Sequence, residues 1–274
     1  MVKTSFMLKV PLSNGQETEL FIERNGDVPR VLFLHGWLHS GMRWNAVREL
    51  LKVESMTLDL PGFGASPPIS SSWQNIEDYS KIIDYSIARI DFEYKLKCIV
   101  ADSLSAILIL RLLEKGRLTN VKLIMSGAPA YGLPWYVTAL SGVRELVPSA
   151  LRLIRFLPAP IGEFLIRTTA VWTLLSRRFV DEIFVSDILK SDPGTAGNLL
   201  RALSKLDLSG SSFPVLQEQI VVVRGVFDKI ADRKAAIKLA KQLDASFREI
   251  VKSSHTPMHE NPAVYASIVN DILK

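Results

Sequence analysis

The feature that most narrows the folds open to this chain is a recurring alternation. Short, uniformly apolar runs are each followed by a stretch with helical spacing: VLFL (31–34), SMTLDL (55–60), KCIVA (97–101), VKLIM (121–125) and QIVVV (219–223). A strand apolar on both faces has to be buried on both faces, and strands alternating with helices bury them in a parallel sheet covered by helices on each side. The spacing predicts helices over 40–52, 76–90, 104–116 and 231–243, and a terminal helix from about Pro262. In the first of these, Trp44, Val47, Leu50 and Leu51 are expected on one face, and Gly116 is expected to end the third. SFREIV (246–251) reads as a further strand. At the N-terminus, TSFMLKVPLSNGQETELFIERNG reads as a hairpin turning at Asn14-Gly15.

The rhythm stops between Tyr131 and Leu208. Helix-like segments rich in Leu, Ile and Arg take its place, broken by Pro134, Pro148, Pro158, Pro160 and Pro193. The expected organisation is therefore a core of residues 1–130 and 209–274 with a helical insertion at 131–208. At 274 residues and 48% hydrophobic, the chain can bury a substantial core.

Composition excludes several function classes. The net charge of +5 is scattered among acids, which speaks against nucleic-acid binding and leaves anionic lipid surfaces open. The single cysteine, Cys98, permits no intrachain disulfide and sits in an apolar run, where a buried, inert thiol is expected. No apolar run reaches the roughly 18 residues of a membrane span, and MVKTSFMLKV is too interrupted for a signal peptide, so a cytoplasmic location is expected. Nothing in the sequence calls for a metal or cofactor, and it leaves the oligomeric state open.

VADSLSA (100–106) places an acid and two serines between apolar runs that both require burial. It falls at a strand-to-helix junction, where open parallel sheets carry their sites. A nucleophile on a sharp strand–turn–helix needs small residues two before and two after it. Ala101 and Ser105 meet that condition for Ser103, whereas Val100 and Leu104 do not meet it for Asp102. Ser103 is the candidate nucleophile, although a helix-capping serine has the same local look. Asp102 is expected to cap the following helix, with a wall position repelling anionic substrates as the alternative.

A serine nucleophile needs a base. Of the four histidines, His255 follows the last strand closely enough to return to the sheet edge, whereas His259 lies beside Glu260 at the start of the last helix. His255 is the candidate base. Asp228, in the loop after QIVVV, is the candidate orienting acid, and Asp232 is expected in the first helical turn, where an acid is favourable without catalysis. The backbone N–H groups of Leu104 and Trp37 are candidate oxyanion donors.

Together LHGW (34–37), DLPGFGAS (59–66), VADSLSA, GVFD (225–228) and SHTPMHENP (254–262) resemble the α/β-hydrolase superfamily, in order and over essentially the full length. The resemblance implies an eight-stranded, mostly parallel sheet and a helical cap inserted after the sixth strand. It supports Ser103, Asp228 and His255 as nucleophile, acid and base, and gives His35-Gly36 a structural part in the oxyanion loop. Ala101 and Ser105 replace the commoner glycines but remain small.

Apolar segments of the insertion point to a hydrophobic site, with Trp37, Trp135, Tyr136 and Trp172 as candidate lining residues. The expectation is a serine hydrolase cleaving a neutral hydrophobic acyl ester. Two alternatives stand beside it: a carbon–carbon bond hydrolase of the same fold, and a non-catalytic ligand-binding or scaffold protein of that fold.

Overall fold

The computed structural model describes residues 3–70, 72, 74–118, 120–142, 145–173, 180–214 and 219–274, the side chains of 170–173 excepted. Among them, eight strands form one sheet: β1 (Lys3–Pro11), β2 (Glu17–Asn25), β3 (Val31–Leu34), β4 (Ser55–Leu58), β5 (Cys98–Asp102), β6 (Lys122–Ser126), β7 (Ile220–Gly225) and β8 (Ser246–Ile250). Their order is β1-β2-β4-β3-β5-β6-β7-β8. The neighbours from β4 through β3 to β8 run parallel, whereas β1 and β2 pair antiparallel with each other, as does β2 with β4.

The apolar runs become fully buried strands: β3, β4, β5 and β7 expose no residue. Edge position explains the exceptions. β8 lies at one margin and keeps Ser246 and Arg248 exposed, and β1 at the other is exposed along most of its length. The hairpin before β3 turns through Gly15 at φ +82°, with Leu12 N–H donating to the Gln16 carbonyl at 2.7 Å.

Helices cover both faces. α1 (Asn45–Arg48) with Trp44 just before it, the short α10 (Pro257–Glu260) and α11 (Pro262–Ile272) pack Trp44, Val47, Met258, Tyr265 and Val269 against one face. α2 (Ile76–Tyr94), α3 (Leu104–Glu114) and α9 (Arg233–Gln242) pack against the other. The helix expected over 40–52 is not continuous: a 3-10 turn over Gly41–Trp44 precedes the one-turn α1. Trp44, Val47 and Leu51 are buried but Leu50 is exposed. The side chain turned inward is instead Arg48, which donates to Glu23 at 2.6 Å and to Ser55 Oγ at 3.2 Å. A buried guanidinium needs such partners, and meeting them sets the local course of the chain. Gly116, at φ +70°, follows the end of α3 as expected, and Asp232 caps α9, accepting from the N–H groups of Lys234 and Ala235.

Between β6 and β7 lie α4 (Trp135–Gly142), α5 (Leu146–Phe156), α6 (Ala159–Thr173), α7 (Glu182–Lys190) and α8 (Pro193–Ser204). They share a small apolar core of their own around Leu151, Ile166, Phe184, Ile188 and Ala196. Leu199, Leu203 and Leu208 join them to the main core. The two ends of the segment meet: Leu208 N–H donates to the Ala130 carbonyl at 2.8 Å. This layer lies over the C-terminal ends of the parallel strands.

Candidate active site

Ser103 stands directly after β5, with φ +47° and ψ −106°. A non-glycine residue there is strained by about 1–3 kcal/mol, and such strain persists only where the surroundings enforce it. Here Ser103 N–H donates to the Ser126 carbonyl at 2.8 Å, which extends the β5–β6 pairing into the turn, and α3 starts at the next residue. The small neighbours fit their places. Ala101 is buried in the sheet core, and the Ser105 hydroxyl donates to the His35 carbonyl. Ser105 therefore does more than stay small: it ties the elbow to the loop after β3.

His255 and Asp228 come to the same point from β8 and β7. His255 Nε2 lies 3.1 Å from Ser103 Oγ, and its Nδ1 lies 3.0 and 3.1 Å from the Asp228 carboxylate oxygens. With Nδ1–H donating to the carboxylate, Nε2 is left to accept the serine proton. Asp228 also accepts from the N–H groups of Ile230 at 2.8 Å and Ala231 at 3.0 Å. Burial disfavours its charge, but His255 and these hydrogen bonds outweigh burial and hold its carboxyl below the ordinary range. Burial likewise opposes protonation of His255. The Asp228 charge and hydrogen bond prevail, with Asp102 and Glu260 adding to them, and raise the imidazole to about 9.

Two supports of this chain were not read from the sequence. Arg224, buried on β7, donates to the carbonyls of Asp228 at 2.9 Å and Ala231 at 3.1 Å, and pairs with Glu249 of β8 at 2.7 Å. It clamps the acid's loop to the sheet. Gly225, the next residue, lets the histidine loop approach: a Cβ there would lie 2.1 Å from the Ser254 carbonyl oxygen. An Arg-Gly pair closing an apolar strand was the available signal.

The loop after β3 forms the other wall. Gly36 lies so close to the elbow that a Cβ would fall 3.2 Å from the Ser103 Cβ and 2.6 Å from Asp102 Oδ2. Trp37 follows, and its indole N–H donates to the Ala196 carbonyl of α8 at 2.9 Å. Leu104, the other expected donor, opens α3, where first-turn N–H groups have no partner within the helix. His35 is structural. Its Nε2 accepts from Leu60 N–H at 2.9 Å, which leaves the proton on Nδ1 to donate to the Gly36 carbonyl at 2.8 Å. Burial lowers its pKa, so it stays neutral. His259 stands outside the chain, its Nε2 3.0 Å from Asp181 at the start of α7.

A cavity of about 70 Å³ opens at Ser103 and His255. Its walls are mainly apolar: Trp37 and Leu38 of the β3 loop, Leu133 and Val137 about α4, Phe184 of α7, and Leu200 and Leu203 of α8. His39 also lines it, and burial holds that imidazole neutral. Of the expected lining residues, Trp37 is in place. Trp135 is not: it is 81% exposed, because α4 turns Val137 toward the cavity and Trp135 to the outside. Tyr136 is half-buried and does not line the cavity. The Trp172 side chain lies outside the described residues.

Asp102 also departs from expectation. Neither carboxylate oxygen accepts a hydrogen bond, and no side chain caps α3. The carboxyl is buried beneath Gly36 on the sheet face opposite α3, so capping is geometrically closed to it. It is absent from the cavity wall as well. Burial raises its pKa to about 7.

A strained serine after a central parallel strand, facing a histidine and an acid from the last two strands, defines an α/β fold of the hydrolase kind. The chain belongs to the alpha/beta hydrolase family, whose model matches residues 31–268. Its structure is similar to a thermophilic esterase from Thermogutta terrifontis, with TM-score 0.77, 20% identity and 98% of each chain covered. It is also similar to the esterase EaEST from Exiguobacterium antarcticum, with TM-score 0.73, 18% identity and 98% and 99% covered. The Cif epoxide hydrolase from Acinetobacter nosocomialis has TM-score 0.76 at 15% identity, with 99% of this chain and 89% of that chain covered. No curated protein sequence matches. At these identities the likeness is one of fold. Among the described residues, no group of three or more His, Cys, Asp or Glu is placed to hold a metal ion, and no helix is long and apolar enough to cross a membrane.

Proposed function

We propose that the protein is a serine hydrolase of small, neutral, hydrophobic carboxylic esters, working through an acyl-enzyme. The observation that carries this reading is the hydrogen-bonded series Ser103–His255–Asp228 at a strained elbow on the floor of an apolar cavity.

In this reading neutral His255 takes the Ser103 proton at Nε2 as Oγ attacks the ester carbonyl. Asp228 fixes the Nδ1–H tautomer and stabilises the imidazolium that forms. The backbone N–H groups of Leu104 and Trp37 hold the oxyanion; such preorganised donors are worth roughly 3–4 kcal/mol each. The imidazolium then gives its proton to the leaving alcohol. Water, activated by the same histidine, releases the acid and restores Ser103. The α4–α8 layer acts as the cap that sets acyl-chain preference, because it supplies Val137, Phe184, Leu200 and Leu203 to the wall. The mainly apolar walls favour a hydrophobic, neutral acyl group.

A series of p-nitrophenyl esters of rising acyl length tests this. Turnover of short neutral esters, lost in Ser103→Ala, is expected. A folded protein inactive on all of them, or a Ser103→Ala variant as active as the parent, overturns the reading.

A further inference from the structure

The α5–α6 hairpin wears its apolar residues on the outside. On α5, Leu146, Leu153 and Phe156 are exposed at helical spacing, Phe156 by 87%. On α6, Ile161, Phe164 and Leu165 repeat the pattern, Phe164 at 66%. The helices are held together at their link, where Gly162 lies against the backbone of Ile154. α4 packs on α5 and adds exposed Trp135. Scattered exposed hydrophobics are ordinary, but eight large ones in three consecutive helices, Leu140 of α4 included, are not.

Charge points to what this face meets. Residues 135–180 hold six arginines, no lysine and two glutamates. Of the arginines, Arg144, Arg177 and Arg178 lie outside the described residues and Arg155 donates to the Ser191 carbonyl, which leaves Arg152 and Arg167 beside the apolar face. Arg152 pairs with exposed Glu145, and Arg167 pairs with exposed Glu163 while also donating to the Val180 carbonyl; exposed ion pairs of this kind have little strength and can be exchanged for phosphate. Exposed aromatic and aliphatic side chains interleaved with arginines are the composition that lies flat in an anionic lipid interface.

We propose that the outer face of the α5–α6 hairpin, with Trp135, docks on the surface of an anionic lipid bilayer. The inner face of α4 lines the cavity through Val137. Docking therefore sets the cavity beside the bilayer, where hydrophobic molecules concentrate. The proposal does not depend on the hydrolytic reading, since binding needs no turnover.

The test is sedimentation of the full chain with vesicles of phosphatidylcholine alone and of phosphatidylcholine with roughly one third phosphatidylglycerol. Binding to the anionic vesicles is expected to exceed binding to the neutral ones by roughly tenfold or more and to weaken with salt. The double variant F156S/F164S is expected to lose roughly tenfold or more in vesicle binding, with its circular dichroism and melting temperature kept because both side chains are exposed. Ser103→Ala is expected to bind like the parent. Equal binding to both vesicle types, or a double variant that binds like the parent, overturns the proposal. So does a parent dimer in solution that F156S/F164S dissolves, because the face is then a contact between two copies of this chain.

Discussion

Ser103 owes its position to a backbone turn that a serine resists and its neighbours enforce, and His255 owes its basicity to neighbouring carboxylates, Asp228 first and then Asp102 and Glu260. Replacing His255 with Ala is expected to lower ester turnover on the order of 10³-fold or more, whereas His259→Ala, outside the hydrogen-bonded series, stays within about tenfold. Steady-state rates of the two purified variants decide this, and the reverse order contradicts the assignment. Asp102 gives a sharper reading. Its charge favours the imidazolium, so Asp102→Asn is expected to move the acidic limb of the kcat/KM profile to lower pH, from a parent limb on the alkaline side of an ordinary imidazole. The same variant has a stability signature. The Asp102 carboxyl releases its proton near 3.8 when unfolded and near 7 when buried, so the folded state binds the extra proton between those values. Its contribution to stability therefore falls as pH rises through that window. Asp102→Asn is expected to gain more Tm, relative to the parent, at pH 8 than at pH 4. Equal differences at both pH values contradict a buried, unpartnered carboxyl.

At the scale of elements, each group in the site depends on a short contact between neighbours. Arg224 on β7 holds the Asp228 loop through two carbonyls. Arg224→Met keeps the bulk and removes the donors, and is expected to lower kcat by roughly tenfold or more with KM little changed. A loss confined to KM would mean that the clamp acts on the substrate and not on the acid. Val137 belongs to α4 and faces the cavity. Val137→Trp is expected to shift preference toward shorter acyl chains, measured as kcat/KM across the ester series, because a cavity of about 70 Å³ has little room to yield. An unchanged preference would remove α4 from the specificity wall. Asp181, the cap of α7, joins Arg43 at 2.9 Å and His259 at 3.0 Å, so the same helix that supplies Phe184 is pinned to the base of the histidine loop. Burial works against ionised Asp181, yet the His259 and Phe184 N–H hydrogen bonds and the Arg43 charge hold its carboxyl well below the usual range.

Across the whole molecule, the sheet was legible because period and burial agree: strands that are apolar throughout have only the interior in which to lie. Ser103 was legible by its small neighbours, and His255 and Asp228 by standing just past strand ends. What escaped the sequence depends on direction, not residue type. Trp135 looks like a pocket residue by composition, but a helix has two faces, and only the packing of α4 shows which one Val137 takes. Asp102 looks like a cap, but alternation along β5 sends it to the face away from α3. Arg224 went unread because its partner Glu249 is brought beside it only by the pairing of β7 with β8. The 40–52 segment has helical spacing, yet the burial of Arg48 overrides its periodicity.

The most direct measurement of the central claim is covalent. An alkyl fluorophosphonate reacts with a serine only when a base activates its hydroxyl and donors receive the developing charge on phosphorus. Incubation of the folded protein followed by peptide mass spectrometry is expected to show one adduct, on Ser103, formed far more slowly in His255→Ala. A folded protein that stays unlabelled, or one whose adduct sits on another serine, contradicts the account.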